Sequence, residues 1–330
     1  MKKLIVAVLL AAIVGGRLDV PLAAQLARPA SVGSSLPCDG PCLLATLDAY
    51  LGALSARDPR RLPLAGMVKF TENTGRLDVG EGLWIGASEA PASFRVPVVD
   101  QAAGQVGFFG VMKEFDQPVL LALRLRVQNR LITEIEHVVA RNLNETGLKN
   151  LVTPRPGLLD ELKPADRVPR PELLRIASSY YDAVLQSSAK LAPFADDCER
   201  RENGMVVSGD RTPAMPAAAT AGSNAAARIA ALSCAQAIDA RTLSYVTGID
   251  LRRVSIADEQ RGLVFALSMF RHRGNARHLS ILNVPDVDRV PMNFGPVDAQ
   301  VAHIFKIAGG KLHEIESMGH TLPYKSDAGW

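Results

Sequence analysis

The chain has 330 residues, of which 48% are hydrophobic and 22% charged, with a formal charge of +3. That is ordinary globular material, long enough for about two domains. No lysine or arginine run stands out and aromatic residues make up 5%, which excludes the basic stripes and stacking platforms that nucleic-acid binding requires.

Lys2 and Lys3 precede an apolar run from Leu4 to Val14 and then small residues, the layout of a secretory signal peptide. The run is shorter than the about 20 residues needed to cross a bilayer. Residues 1–24 are therefore read as a leader, cleaved between Gly16 and Ala30, with a retained anchor as the alternative. The mature chain is expected to be exported, periplasmic or extracellular, and free of membrane. Cys38 and Cys42 follow in Cys-Asp-Gly-Pro-Cys, either a staple at the mature N-terminus or a redox pair, although the usual Cys-x-x-Cys spacing is absent.

Leu43, Leu47, Tyr50 and Leu54 recur at helical spacing. Pro59 and Pro63 break that pattern, and Phe70-Thr71-Glu72-Asn73 leads to a short helix around 80–87. Strands are expected at 94–99 and 104–109, then at 119–127 and 131–139, joined by polar turns. Five prolines between Thr153 and Pro171 mark a linker, whose full extent is taken as 143–171. Beyond it come a second helix through Leu173, Ala177, Tyr180 and Val184, a second Glu202-Asn203 and a short helix at 234–243. Strands follow at 251–256, 262–269, 301–307 and 311–318. Cys198 and Cys234 flank an Ala-rich insertion and are expected to pair. That insertion, 205–231, reads as disordered or, at 224–232, helical; a second insertion occupies 273–297.

The second run repeats the first. Leu43, Tyr50, Ala53, Glu72 and Asn73 fall on Leu173, Tyr180, Ala183, Glu202 and Asn203 at an offset of 130. Arg95 and Asp100 fall on Arg253 and Asp258 at 158, and Glu134-Ile135-Glu136 on Glu314-Ile315-Glu316 at 180. The units are thus 38–142 and 172–330, each with helices before a curved antiparallel sheet, an α+β arrangement.

Phe70-Thr71-Glu72-Asn73, Gly80-Glu81-Gly82-Leu83-Trp84, Ile132-Thr133-Glu134-Ile135-Glu136 and the terminal stretch from Pro323-Tyr324 to Gly329-Trp330 resemble a secreted bacterial and fungal family of the NTF2-like (SnoaL-like) superfamily. The resemblance covers nearly the whole mature chain. It implies two tandem cones of helices packed on a curved sheet, paired about a pseudo-two-fold axis as single-copy relatives dimerise. It also implies cofactor-free isomerase, dehydratase, lyase or hydrolase chemistry, or plain ligand binding.

Glu72 and Glu202 stand where the helical layer meets the sheet. Desolvation there raises a carboxylate's pKa and suits it to proton transfer; the alternative is a cap or turn in which the carboxylate accepts backbone N–H bonds. His137 lies on the more apolar face of the last strand of unit one. Unit two has Ser317 there but gains His303 and His313. Each histidine is a catalytic candidate or a hydrogen-bonded core residue. Tyr50 and Tyr180 either pack the core or donate to a bound oxygen. Asn73, Asn203, Tyr180 and Trp84 are the candidate substrate contacts, Trp84 alternatively anchoring the short helix. Glu134, Glu136, Glu314 and Glu316 form a polar face with arginines, Arg124 facing Glu134, or an acid/base pair. His272 and His278 are expected at the surface, and Asp100 and Asp258 in turns.

No phosphate loop, nucleophile elbow or zinc helix is present, and no metal or cofactor is expected. The leading expectation is an exported acid/base enzyme of lyase, isomerase or hydratase type, acting on a small apolar or aromatic molecule. Glu72, Asn73, Tyr50 and His137 would act in the first cone, and Glu202, Asn203, Tyr180 and His303 in the second. A ligand-binding module and a protein-interaction scaffold are the competing readings, and homo-oligomerisation is left open.

Overall fold

The computed structural model describes residues 37–210 and 224–330; the expected leader and residues 211–223 of the first insertion lie outside them. The first half opens with helix α1 (Gly40–Ser55), capped by Asp39, whose carboxylate accepts the Cys42 N–H at 3.0 Å. Its Leu43, Leu47, Tyr50 and Leu54 are buried. Then come β1 (Leu64–Glu72), β2 (Gly75–Arg76), α2 (Leu83–Gly86), β3 (Ala87–Glu89) and β4 (Arg95–Asp100), followed by β5 (Gln105–Glu114), β6 (Gln117–Gln128) and β7 (Leu131–Ala140). Short helices α3 (Glu145–Asn150) and α4 (Pro156–Leu159) occupy the linker.

The second half repeats the plan. It comprises α5 (Arg170–Gln186), β8 (Phe194–Glu202), β9 (Met205–Ser208), α6 (Asn224–Ala230), α7 (Cys234–Asp239), β10 (Gly248–Asp258) and β11 (Leu263–His272). The hairpin β12 (His278–Ser280) and β13 (Arg289–Pro291) comes from the second insertion, and β14 (Val297–Ala308) and β15 (Lys311–Pro323) close the chain. Both disulfides are formed, Cys38–Cys42 and Cys198–Cys234.

The architecture is α+β with curled, mostly antiparallel sheets. The first sheet runs β2-β1-β7-β6-β5, with β4 and β3 both on β5; the second runs β9-β8-β15-β14-β11-β10. In each, the strand ending in Glu-Asn lies parallel to the last strand, β1 on β7 and β8 on β15. α1 covers one face of the first sheet and α5 one face of the second. The remaining faces pack on each other through Phe109, Leu120, Ile256, Phe265, Leu267 and Met318. Phe109 and Phe265 meet edge to face at 5.9 Å, and Gly107 admits Phe265 so closely that a Cβ there would lie 2.4 Å from the ring.

Strands β1 and β8 are absent from the sequence reading, which gives four strands to each unit. β8 reads Phe-Ala-Asp-Asp-Cys-Glu-Arg-Arg-Glu, and its charges conceal any apolar alternation. The register of β6 on β7 also differs from expectation. Asn129 and Arg130, both at left-handed φ (51° and 63°), make a two-residue turn, and a bulge follows, so Arg124 faces Glu136 and Arg126 faces Glu134. Arg124 nevertheless reaches both carboxylates, Glu134 at 2.8 Å and Glu136 at 3.2 Å.

That polar face joins the two halves. Arg253 of β10 also binds Glu136, with Nη1 2.6 Å from Oε2. In the second half Arg155, from the linker, contacts Glu199, Glu314 and Glu316 at 3.1–3.2 Å. The C-terminal Trp330 folds back over the first sheet. Its indole donates to Thr71 Oγ1 at 3.0 Å and stacks beneath Lys69, Arg124 and Arg253.

Candidate functional site

The parallel pairing of β1 with β7 sets Glu72 opposite His137, and the third turn of α1 brings Tyr50 over both. Tyr50 Oη lies 2.9 Å from His137 Nε2, and His137 Nδ1 lies 3.4 Å from Glu72 Oε2. An ionised carboxylate only accepts, so the Nδ1 proton points at Glu72. Glu72 Oε2 also accepts the Leu83 N–H at 2.7 Å, and Oε1 accepts from Arg141 Nη2 at 3.0 Å. At Gly82 (φ +63°) a Cβ would stand 2.6 Å from that carboxylate, so the backbone closes directly on it.

Phe70 and Trp84 complete the enclosure, edge-on to His137 at 5.0 Å and to Tyr50 at 5.4 Å. Tyr50 and His137 are wholly buried, and Glu72 is 9% exposed. The expectation of a raised Glu72 pKa is overturned. Burial does push it up, but His137, the Leu83 N–H and Arg141 together outweigh burial and hold it down at about 2. Burial, opposed by the nearby Trp84 indole and reinforced by the Glu72 charge, lifts the Tyr50 phenol well above its ordinary value. A carboxylate fixed in its ionised form by three donors is an anchor for structure and a poor proton acceptor.

Asn73 and Asn203 are not placed to contact a substrate. Both sit at left-handed φ (46° and 47°). Each side-chain amide donates to the carbonyl and accepts from the N–H of one residue of the last strand, Val139 in the first half and Gly319 in the second. Each asparagine therefore ends its strand and extends the parallel ladder. Trp84, 1% exposed, anchors α2 against Tyr50.

The second interior has the same frame and different side chains. At the equivalent positions Arg200 replaces Phe70, His303 replaces Leu123, Tyr181 replaces Leu51 and Ser317 replaces His137. Ser317 Oγ donates to the Arg201 carbonyl and does not reach Glu202. Thr321 stands where the first half has Arg141. Glu202, stripped of those tethers, has a 44% exposed side chain, and its hydrogen-bond partner among the described residues is Arg200, with Nη2 2.8 Å from Oε2.

The Arg200 side chain is 11% exposed, and among the described residues its Nε has no hydrogen-bond partner. The guanidinium lies beside the Tyr180 hydroxyl without a well-formed hydrogen bond, and that hydroxyl is likewise buried and unpartnered. His303 bonds to Tyr181 at 3.2 Å; the expected companion, Tyr180, meets it only edge-on. Its imidazole stacks on Phe305 at 5.2 Å, and burial, then the charge of Arg200, push its pKa down to about 3. A lowered pKa makes His303 a weak base, and its contact with Tyr181 is that of a hydrogen-bonded core residue.

Tyr245 joins this cluster to an open cavity. Burial, then the Glu202 charge, raise its phenol, while its ring stacks on His272 at 5.3 Å and meets Phe294 edge-on at 5.9 Å. His272, expected at the surface, is 8% exposed; the Val297 backbone bonds to its ring, and among the described residues its Nδ1 has no well-formed hydrogen bond. Arg241, Ser244, Tyr245, His278, Met292 and Phe294 line a cavity of about 260 Å³ beneath the second insertion. Arg200, Tyr181, Tyr245 and Arg141 were not singled out in the sequence. Only Arg200 leaves a signal there, as a cation aligned with an inward aromatic residue.

Residues 166–319 match a family described as a domain of unknown function (DUF8021), a stretch holding Arg200, Glu202, Tyr245 and His303. Comparison with curated proteins finds no match.

Proposed function

We propose that the chain is an exported tandem of two NTF2-like cones in which the second cone binds a small, largely aromatic organic molecule and the first is its closed structural counterpart. The matching order of six strands in the two sheets, β3 being an addition to the first, and the repeat offsets support the tandem. The two disulfides support export.

The observation that carries the binding reading is the contrast between equivalent interiors. In the first, Tyr50, His137 and Glu72 satisfy one another away from solvent. In the second, Arg200 Nε, Tyr180 Oη and His272 Nδ1 are left without a well-formed hydrogen bond among the described residues, and Tyr245, whose ring stacks on His272, walls a cavity. Buried polar groups without partners are costly in a finished protein core and usual in a binding site awaiting its ligand. A turnover reading, by elimination, isomerisation or hydration, rests on Glu202, the one carboxylate of the pair that solvent and a ligand reach.

Thermal unfolding against a panel of single-ring aromatic compounds tests the binding. Compounds entering the cavity raise the melting temperature of the wild-type protein and lose that effect in Phe294→Ala and Tyr245→Ala. A panel without any stabilising member, together with a crystal structure holding only solvent in the cavity, overturns the reading. Product formation that disappears in Glu202→Gln while the ligand still binds would place the protein among enzymes.

A further inference from the structure

Resting on the reading that the second interior binds a ligand, we infer that its ligand is a small organic carboxylate, anchored by Arg200 in the place that Glu202 now holds as a displaceable internal counter-ion.

The guanidinium supplies the first argument. Nε and Nη2 lie on one edge of the fork and together match the two oxygens of a carboxylate. Glu202 occupies Nη2 alone, at 2.8 Å, and Nε on the same edge is buried without a partner. The fork is half used, and a carboxylate arriving from solvent is able to use all of it.

The freedom of Glu202 supplies the second. Its equivalent Glu72 is fastened by an imidazole, a backbone N–H and an arginine, and its side chain is 8% exposed. Two of these tethers are replaced in the second half, the imidazole by serine and the arginine by threonine; among the described residues Glu202 is bonded by Arg200 and by no backbone N–H, and its side chain is 44% exposed. Glu202 is thus free to swing out while Arg200, on the buried face of β8, stays in place.

The surroundings set the rest of the ligand. Tyr180 offers a buried hydroxyl beside the fork, and Tyr245 and Phe294 offer a ring face and edge. These two rings wall a cavity of about 260 Å³, at the small end for ligand sites, about 300–1,000 Å³, with room for a single ring beside Tyr245.

Calorimetric titration with benzoate and with benzyl alcohol, an uncharged probe of similar shape, tests this on the full chain. The wild-type protein is expected to bind benzoate at least tenfold more tightly than benzyl alcohol. Glu202→Gln, which removes the competing charge, is expected to tighten benzoate about fivefold and leave benzyl alcohol unchanged. Arg200→Lys, which keeps the charge and loses the fork, is expected to weaken benzoate at least tenfold with benzyl alcohol again unchanged. Equal affinity for the two probes, or benzoate weakened or unaltered by Glu202→Gln, overturns the carboxylate inference while leaving ligand binding intact. Binding of neither probe to any of the three proteins overturns both.

Discussion

Replacing Glu72 by glutamine keeps the shape of the side chain and removes its charge, so it isolates what the ionised carboxylate contributes to the first half. The carboxyl titrates at about 2 in the folded protein against an ordinary value of 4.5. At 1.36 kcal/mol per pH unit, that interval corresponds to roughly 3 kcal/mol. A folded-state pKa below the unfolded one stabilises above pH 4.5, and the contribution is lost as pH falls through about 2. Glu72→Gln should therefore be less stable than wild type by roughly 3 kcal/mol at pH 7, by about 1.4 kcal/mol at pH 3, and by little near pH 1. Urea unfolding followed by tryptophan fluorescence at these pH values gives the difference directly. Every other carboxylate titrates in both proteins and cancels, save those touching Glu72. A gap that does not change with pH, or one under about 1 kcal/mol at pH 7, would refute the assignment of Glu72 as a fixed anion.

Tyr50→Phe removes the hydroxyl that faces His137 Nε2 and should cost about 1–2 kcal/mol in the same assay. Arg155→Met leaves Glu314 and Glu316 without their shared cation. Burial already raises the pKa of both, so the loss, about 3 kcal/mol at pH 8, should shrink as pH falls and the carboxyls take up protons. Trp330→Ala removes the indole from beneath Lys69, Arg124 and Arg253 and should lower stability by about 1–2 kcal/mol, read from the urea midpoint by circular dichroism. Replacing Cys198 and Cys234 together by serine opens a loop of sequence separation 36 and should cost about 4 kcal/mol; the same change at Cys38 and Cys42, separation 4, should cost about half as much.

The antiparallel hairpins were legible because their information is local. β4 to β7, β10, β11, β14 and β15 carry recurrent apolar residues, and Asn129 or Gly309-Gly310 mark turns that need left-handed φ; the β12–β13 hairpin lies in the insertion read only as a loop. β1 and β8 were not, because their pairing partner lies at the far end of each unit and the charges of β8 hide its apolar residues. Glu199, for example, is met both by Arg201 within the strand and by Arg155, 44 residues earlier. In the site, Glu72, His137 and Tyr50 could be picked out as inward polar residues, but the tethering of Glu72 could not, since Leu83 and Arg141 reach it only through tertiary structure. The same holds for His272, whose position beside a loop hides its stacking on Tyr245.

The duplication turns one question about stability into a comparison. Phe70 and Arg200 occupy the same place on the same strand, yet burying a guanidinium costs several kcal/mol unless its partners offset the lost hydration. One hydrogen bond to a half-exposed glutamate offsets only part of that. The second half therefore carries a locally unfavourable group, and the strand that holds it is tied two residues away, at Cys198, to α7 through the disulfide to Cys234. The first half has valine at the position of Cys198 and an interior in which Tyr50, His137 and Glu72 bond to one another, and it has no such staple there. The cross-link thus falls in the half where packing alone supports the strand least, as expected when a binding group is held in place at the expense of local stability.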